Sequence, residues 1–251
     1  MNPAQQIAKL KGHVLIFSNE LRSLIQSFEL LFLAAENQEL HQKISGTKQA
    51  RGFSVNRWSL IQECIIGITK LAYDQGSQNP TAVNLIEIIL NPQAVGLREK
   101  LKTRFAVPIR SGLVPGRPPT KDDLALDEAI EKKDIEDLNQ AFEQDLLDLA
   151  KEWQWFDKHQ DKFKKLRDRR LAHVDVAKAG ETYELKGAPG PEWKVVKEAV
   201  QRLIRIAELL LTILHNKDEG FDQFVELARR DARDYWQITE GRQYSPSPIA
   251  W

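Results

Sequence analysis

The chain has 251 residues, 36 acidic and 36 basic, with 42% apolar residues and one cysteine. That is long enough to bury a proper core and too apolar for wholesale disorder. A zero formal net charge means that any nucleic-acid partner must be held by a local basic patch rather than by a global field. The lone Cys64 excludes an intrachain disulfide and a cysteine-based metal site, and its apolar helical setting reads as a small core residue. Met1-Asn2-Pro3 leads into a segment broken by Lys9, Lys11 and Glu20, without a signal-peptide core, so a cytoplasmic location is expected. The most apolar stretch, Leu203 to Leu214, contains Arg205 and Glu208 and is too short to cross a bilayer, so no membrane partner is expected.

From Gln5 to about Gln42, apolar residues recur in steps of three and four, the mark of helix, with Ser18-Asn19-Glu20 as a candidate break. Ser45 to Gly52 reads as a loop. A second helix starts near Ser54 and is apolar around much of its circumference, as a central helix would be. It ends in the turn chemistry of Asp74 to Pro80. Short helices follow at Thr81 to Leu90 and Val95 to Phe105, then a proline- and glycine-rich connection over 107–119. Lys121 to about Ala172 predicts one long helical region, acidic up to Glu152 and basic after Trp155. A charge run of this kind is usually a solvated face. A glycine- and proline-containing connection separates it from Trp193 to His215, the strongest helical pattern, which suits a bundle centre or a dimer face. Gly220 precedes a last amphipathic helix, Phe221 to about Trp236, and a tail containing Ser245-Pro246-Ser247-Pro248. The expected fold class is all-α: a helical domain over residues 5–217, followed by a C-terminal helix and tail over 218–251.

No two of His13, His41, His159, His173 and His215 stand three to five residues apart, and no phosphate-cradling glycine loop is present. No metal and no cofactor are therefore expected. The chemistry-bearing stretch is Leu166-Arg167-Asp168-Arg169-Arg170-Leu171-Ala172-His173-Val174-Asp175, where a histidine follows a run of arginines and precedes a carboxylate. Two accounts stay open on chemistry alone. One is a helix C-terminus, where the dipole favours arginine and histidine. The other is a phosphate site, with a bidentate arginine and a histidine moving a proton near neutral pH. On a straight helix Arg167 and His173 would lie roughly 120° apart, which calls for a bend, a long reach or a second chain.

Arg167-Asp168-Arg169-Arg170-Leu171-Ala172-His173 resembles the Arg-x4-6-His motif of the HEPN (higher eukaryotes and prokaryotes nucleotide-binding) superfamily, with Asp168 at the polar position after the arginine. The whole phrase from Leu166 to Asp175 is similar to the abortive-infection AbiU-like branch. So is a second segment, Trp58 to Leu90, with Leu71-Ala72-Tyr73-Asp74 and Asn79-Pro80-Thr81. The resemblance implies a HEPN-type helical bundle acting as a homodimer, and a metal-independent endoribonuclease of the phage-defence or toxin kind. In that reading Arg167 and His173 are catalytic, and Asp168 and Asp175 support them. Lys164, Lys165, Arg169 and Arg170 would contact RNA, with Lys162 extending the track. Partners would be RNA, a second copy and a cognate antitoxin or regulatory protein. The alternative is a non-catalytic HEPN-type dimer that binds RNA, nucleotide or a partner protein. A third reading is a structural bundle with a charged helix end. Trp153 and Trp155 have two readings, base stacking or core, and Asp74 reads first as a turn residue.

Overall fold

The computed structural model describes residues 2–74, 76, 79–105, 121–171, 193–216 and 220–237. Among the described residues there are eight helices and no strand: α1 (Pro3–Glu36), α2 (Gln38–Ile44), α3 (Ala50–Tyr73), α4 (Ala82–Leu90), α5 (Val95–Phe105), α6 (Lys121–Leu171), α7 (Trp193–His215) and α8 (Phe221–Trp236). The proline-rich stretch 107–119 lies outside them.

α1 runs unbroken for 34 residues. Ser18, at the expected break, is buried inside it. The break comes later, at Asn37. Its backbone N–H donates to the Leu33 carbonyl at 3.0 Å, ending α1, while its side-chain oxygen accepts from the Leu40 N–H at 2.8 Å, starting α2. One residue thus satisfies groups on two helix ends. α3 begins at Ala50, inside the stretch that reads as a loop, and is central only in its second half. Cys64, Ile65, Ile68, Leu71, Ala72 and Tyr73 are buried, whereas Val55 and Trp58 are exposed. Gly67 lets α3 come close to α1, since a Cβ there would meet Leu24 Cδ1 at 2.9 Å.

α7 is the centre of the bundle, packed against α1, α3 and α6. Eleven of its residues, from Val196 to Leu214, are buried. At about 1.5–3 kcal/mol for each large aliphatic side chain, this helix supplies much of the apolar gain on folding. α8 lies on α1. Trp236 Nε1 donates to the Leu30 carbonyl at 3.0 Å, and Arg229 grips the buried Glu29 through Nε at 3.2 Å and a terminal nitrogen at 3.4 Å.

α6 has 51 residues, roughly 76 Å of helix. Phe142, Leu149, Phe156 and Phe163 recur every seventh residue and are all buried, so one seam anchors its second half. Tyr73 fixes the rotation of α6 about its axis. Its hydroxyl, carried in from the end of α3, donates to the Phe156 carbonyl at 2.9 Å, and its ring packs among Trp153, Phe156 and Phe163.

Candidate functional site

The seam of α6 stops at Phe163. Arg167, four residues on, continues the same direction, because four residues turn a helix by about 40° beyond a full circle. Among the described residues no buried apolar side chain of α6 follows Phe163, and Arg167 is exposed. Its Nε and one terminal nitrogen both donate to Asp168 Oδ1 at 2.9 Å. Asp168 is also exposed, so the pair contributes little to stability, within about 0–1 kcal/mol. What it does is bias the guanidinium towards the neighbouring carboxylate at a solvent-facing helix end. Lys164 is half-buried and Lys165 exposed on the preceding turn. Arg169 and Arg170 are helical in backbone. His173 and Asp175 lie outside the described residues.

Arg167, Asp168 and the lysines are therefore gathered at one end of one helix, on a rigid element rather than a loop. That end is positioned from behind by Phe163 and Tyr73. Burial pushes the Tyr73 phenol above its ordinary value of 10.0, and the nearby Asp157 adds to the rise, so the hydroxyl stays a neutral donor to Phe156. Tyr73 belongs to the second matching segment noted in the sequence, and its role here is to brace α6. Asp74 is exposed at the end of α3, and its carbonyl accepts from Thr81 Oγ1 at 3.0 Å, a turn-closing arrangement.

The AbiU2 family of HEPN proteins matches residues 7–235, which takes in both Tyr73 and the whole stretch from Arg167 to Asp175. The chain belongs to the HEPN AbiU2 family. Comparison with curated proteins and with solved structures found no match. The family match also reaches through α8, whose Arg229 and Trp236 tie it to α1. As the family implies, the structure is all-α. No described helix is long and apolar enough to cross a membrane. Among the described residues no group of three or more histidine, cysteine or carboxylate side chains is placed to hold a metal ion.

Trp153 and Trp155 pack against the core. Trp153 lies 6.0 Å from Phe156, centroid to centroid. The His159 ring stacks on Trp155 at 4.0 Å, and the Arg202 guanidinium lies 5.2 Å from its centroid. Arg202 from α7 is itself gripped by Glu152 of α6 at 2.5 Å and by Glu198 at 2.9 Å. Burial works against its charge, but the hydrogen bonds to Glu198 and Glu152 outweigh it and raise its pKa. This α6–α7 clamp went unseen in the sequence. The spacing of Glu198 and Arg202, four apart, was a visible signal for half of it. The Glu152 contact, across 50 residues, was not.

Proposed function

We propose that this AbiU2-family protein is a metal-independent endoribonuclease, acting in the cytoplasm as a homodimer in phage defence or as a toxin with a cognate antitoxin. The observation that carries the reading is the family match across Arg167 to His173, joined to the exposed, Asp168-oriented Arg167 at the end of α6. The reaction is attack of a ribose 2′-hydroxyl on the adjacent phosphate. His173 takes the proton from that hydroxyl or returns one to the leaving 5′-oxygen. Arg167 neutralises charge that builds on the phosphate oxygens in the transition state. Asp168 keeps the Arg167 fork aimed, and Asp175 supports His173. Lys164, Lys165, Arg169 and Arg170 hold flanking phosphates and carry no sequence information. A second copy brings its own motif to the same cleft, which removes the need for one helix to present Arg167 and His173 side by side.

The chemistry needs the 2′-hydroxyl, so the test is a single-stranded RNA against the same strand with one 2′-deoxy residue at the cleaved position. Cleavage of the first only, leaving a 2′,3′-cyclic phosphate, supports the proposal. Equal cleavage of both strands refutes the mechanism. Tight binding with no cleavage of either favours the non-catalytic RNA-binding dimer.

A further inference from the structure

A cavity of about 740 Å³ opens along α7 where it meets α6, lined by Glu152, Lys194, Lys197, Glu198, Arg202 and Arg205 with Gln201. Four of these side chains are cationic and two are anionic. Both carboxylates are turned onto Arg202 and Arg205 is paired with Glu208 at 3.5 Å, which leaves Lys194 and Lys197 to set the field of the groove. Among the described residues Lys194 and Lys197 have no carboxylate within ion-pair distance. Lys197 instead lies 4.8 Å from the centroid of the Phe32 ring on α1.

Lys194, Lys197, Gln201 and Arg205 follow one another in steps of three and four, so they form one stripe about 17 Å long on the outer face of α7. The stripe leads towards the candidate site. Arg202 pairs with Glu152 and Arg205 acts on Asp145, so the numbering of α6 falls as that of α7 rises and the helices run antiparallel. Lys194 consequently sits nearer the basic end of α6 than Arg205 does, on the side of Lys162, Lys164, Lys165 and Arg167. No aromatic side chain lines the groove among the described residues, so it offers charge to a backbone rather than a platform to a base.

We propose that this α7 groove binds the phosphodiester backbone of single-stranded RNA and guides the strand to Arg167. The ligand class rests on the ribonuclease reading; the groove itself rests on its cavity, its charge and its direction. Binding here is independent of base sequence and strongly dependent on salt, because each neutralised phosphate releases a condensed counterion.

The test uses the full chain carrying His173→Ala, so that RNA is not consumed, with and without Lys194→Gln and Lys197→Gln. Both lysines are on the outer face of α7, and circular dichroism confirms that the fold is kept. A control carries Lys9→Gln and Lys43→Gln, exposed charges of equal number on other helices. Fluorescence anisotropy reads the binding of labelled oligo(U) and oligo(A) from 50 to 200 mM salt. The groove variant should bind both oligomers more weakly, and the slope of log affinity against log salt should fall by about 1.4, some 0.7 for each lost contact. The control should behave as its parent. Equal loss in the control, or an unchanged slope in the groove variant, overturns the proposal. So does lysine-dependent binding of polyglutamate without binding of RNA. Cleavage, measured separately on the wild type, is the independent readout: lysine-dependent binding without cleavage keeps the groove and removes the ribonuclease. Cleavage with lysine-independent binding does the reverse.

Discussion

Tyr73→Phe deletes one hydroxyl and leaves the ring that packs among Trp153, Phe156 and Phe163. The lost bond to the Phe156 carbonyl should cost about 0.5–1.5 kcal/mol at neutral pH. In a chain of this size each 1 kcal/mol lowers the melting temperature by about 2–4 °C. The pH dependence is the sharper signature. Burial raises the Tyr73 pKa above 10.0, so the unfolded chain loses this proton before the folded one does. The unfolded state then binds fewer protons, and stability falls as pH rises from 10.0 towards the folded value. The wild type should therefore lose about 1.4 kcal/mol per pH unit above 10 that Tyr73→Phe does not lose. The other tyrosines and Cys64 are common to both proteins and cancel in the difference. Urea unfolding at pH 8, 10 and 11 measures it. Parallel declines in the two proteins would show that Tyr73 is not a buried neutral donor, and the bracing of α6 would have to be assigned elsewhere.

Phe163→Ala removes the last buried ring of the α6 seam and should cost about 3–5 kcal/mol, seen as a lower denaturation midpoint, with reduced RNA cleavage as the Arg167 end loosens. Arg229→Ala strands the buried Glu29. The cost should be about 2 kcal/mol, below the roughly 3–5 kcal/mol of a fully buried pair because Arg229 is one-third exposed, and amide exchange should quicken first in α8. Cys64 is fully buried, and burial raises its thiol pKa with the Glu63 charge adding to the rise. A thiol reagent should therefore label it only when urea unfolds the chain.

The helices with long, regular apolar periodicity were legible from the sequence. α7 follows the seam Val196, Val200, Leu203, Ala207, Leu210 and Leu214, and its ends at Trp193 and His215 are those the pattern indicates. α4, α5 and α8 were equally plain, bounded by Thr81, Asn91 and Gly220. Asn37 was not, because its double role as end of α1 and cap of α2 is a matter of backbone angles. Neither was the start of α3 at Ala50, since the polar, glycine-containing run masks where the turn through Thr47 ends and the helix, which takes in Gly52, begins. At the candidate site the sequence showed the residue types but not what aims them. Tyr73 reaches Phe156 across 83 positions, and Arg202 reaches Glu152 across 50. Such contacts follow from packing, which periodicity along one helix does not encode.

Cleavage of single-stranded RNA by the wild type, Arg167→Ala and His173→Ala, at equal concentration and with each fold verified, tests the central claim most directly. Loss of a general acid–base group costs about 10²–10⁴-fold in rate, so His173→Ala should be nearly inactive and Arg167→Ala severely impaired. Cleavage that survives both substitutions at the wild-type rate would contradict the account.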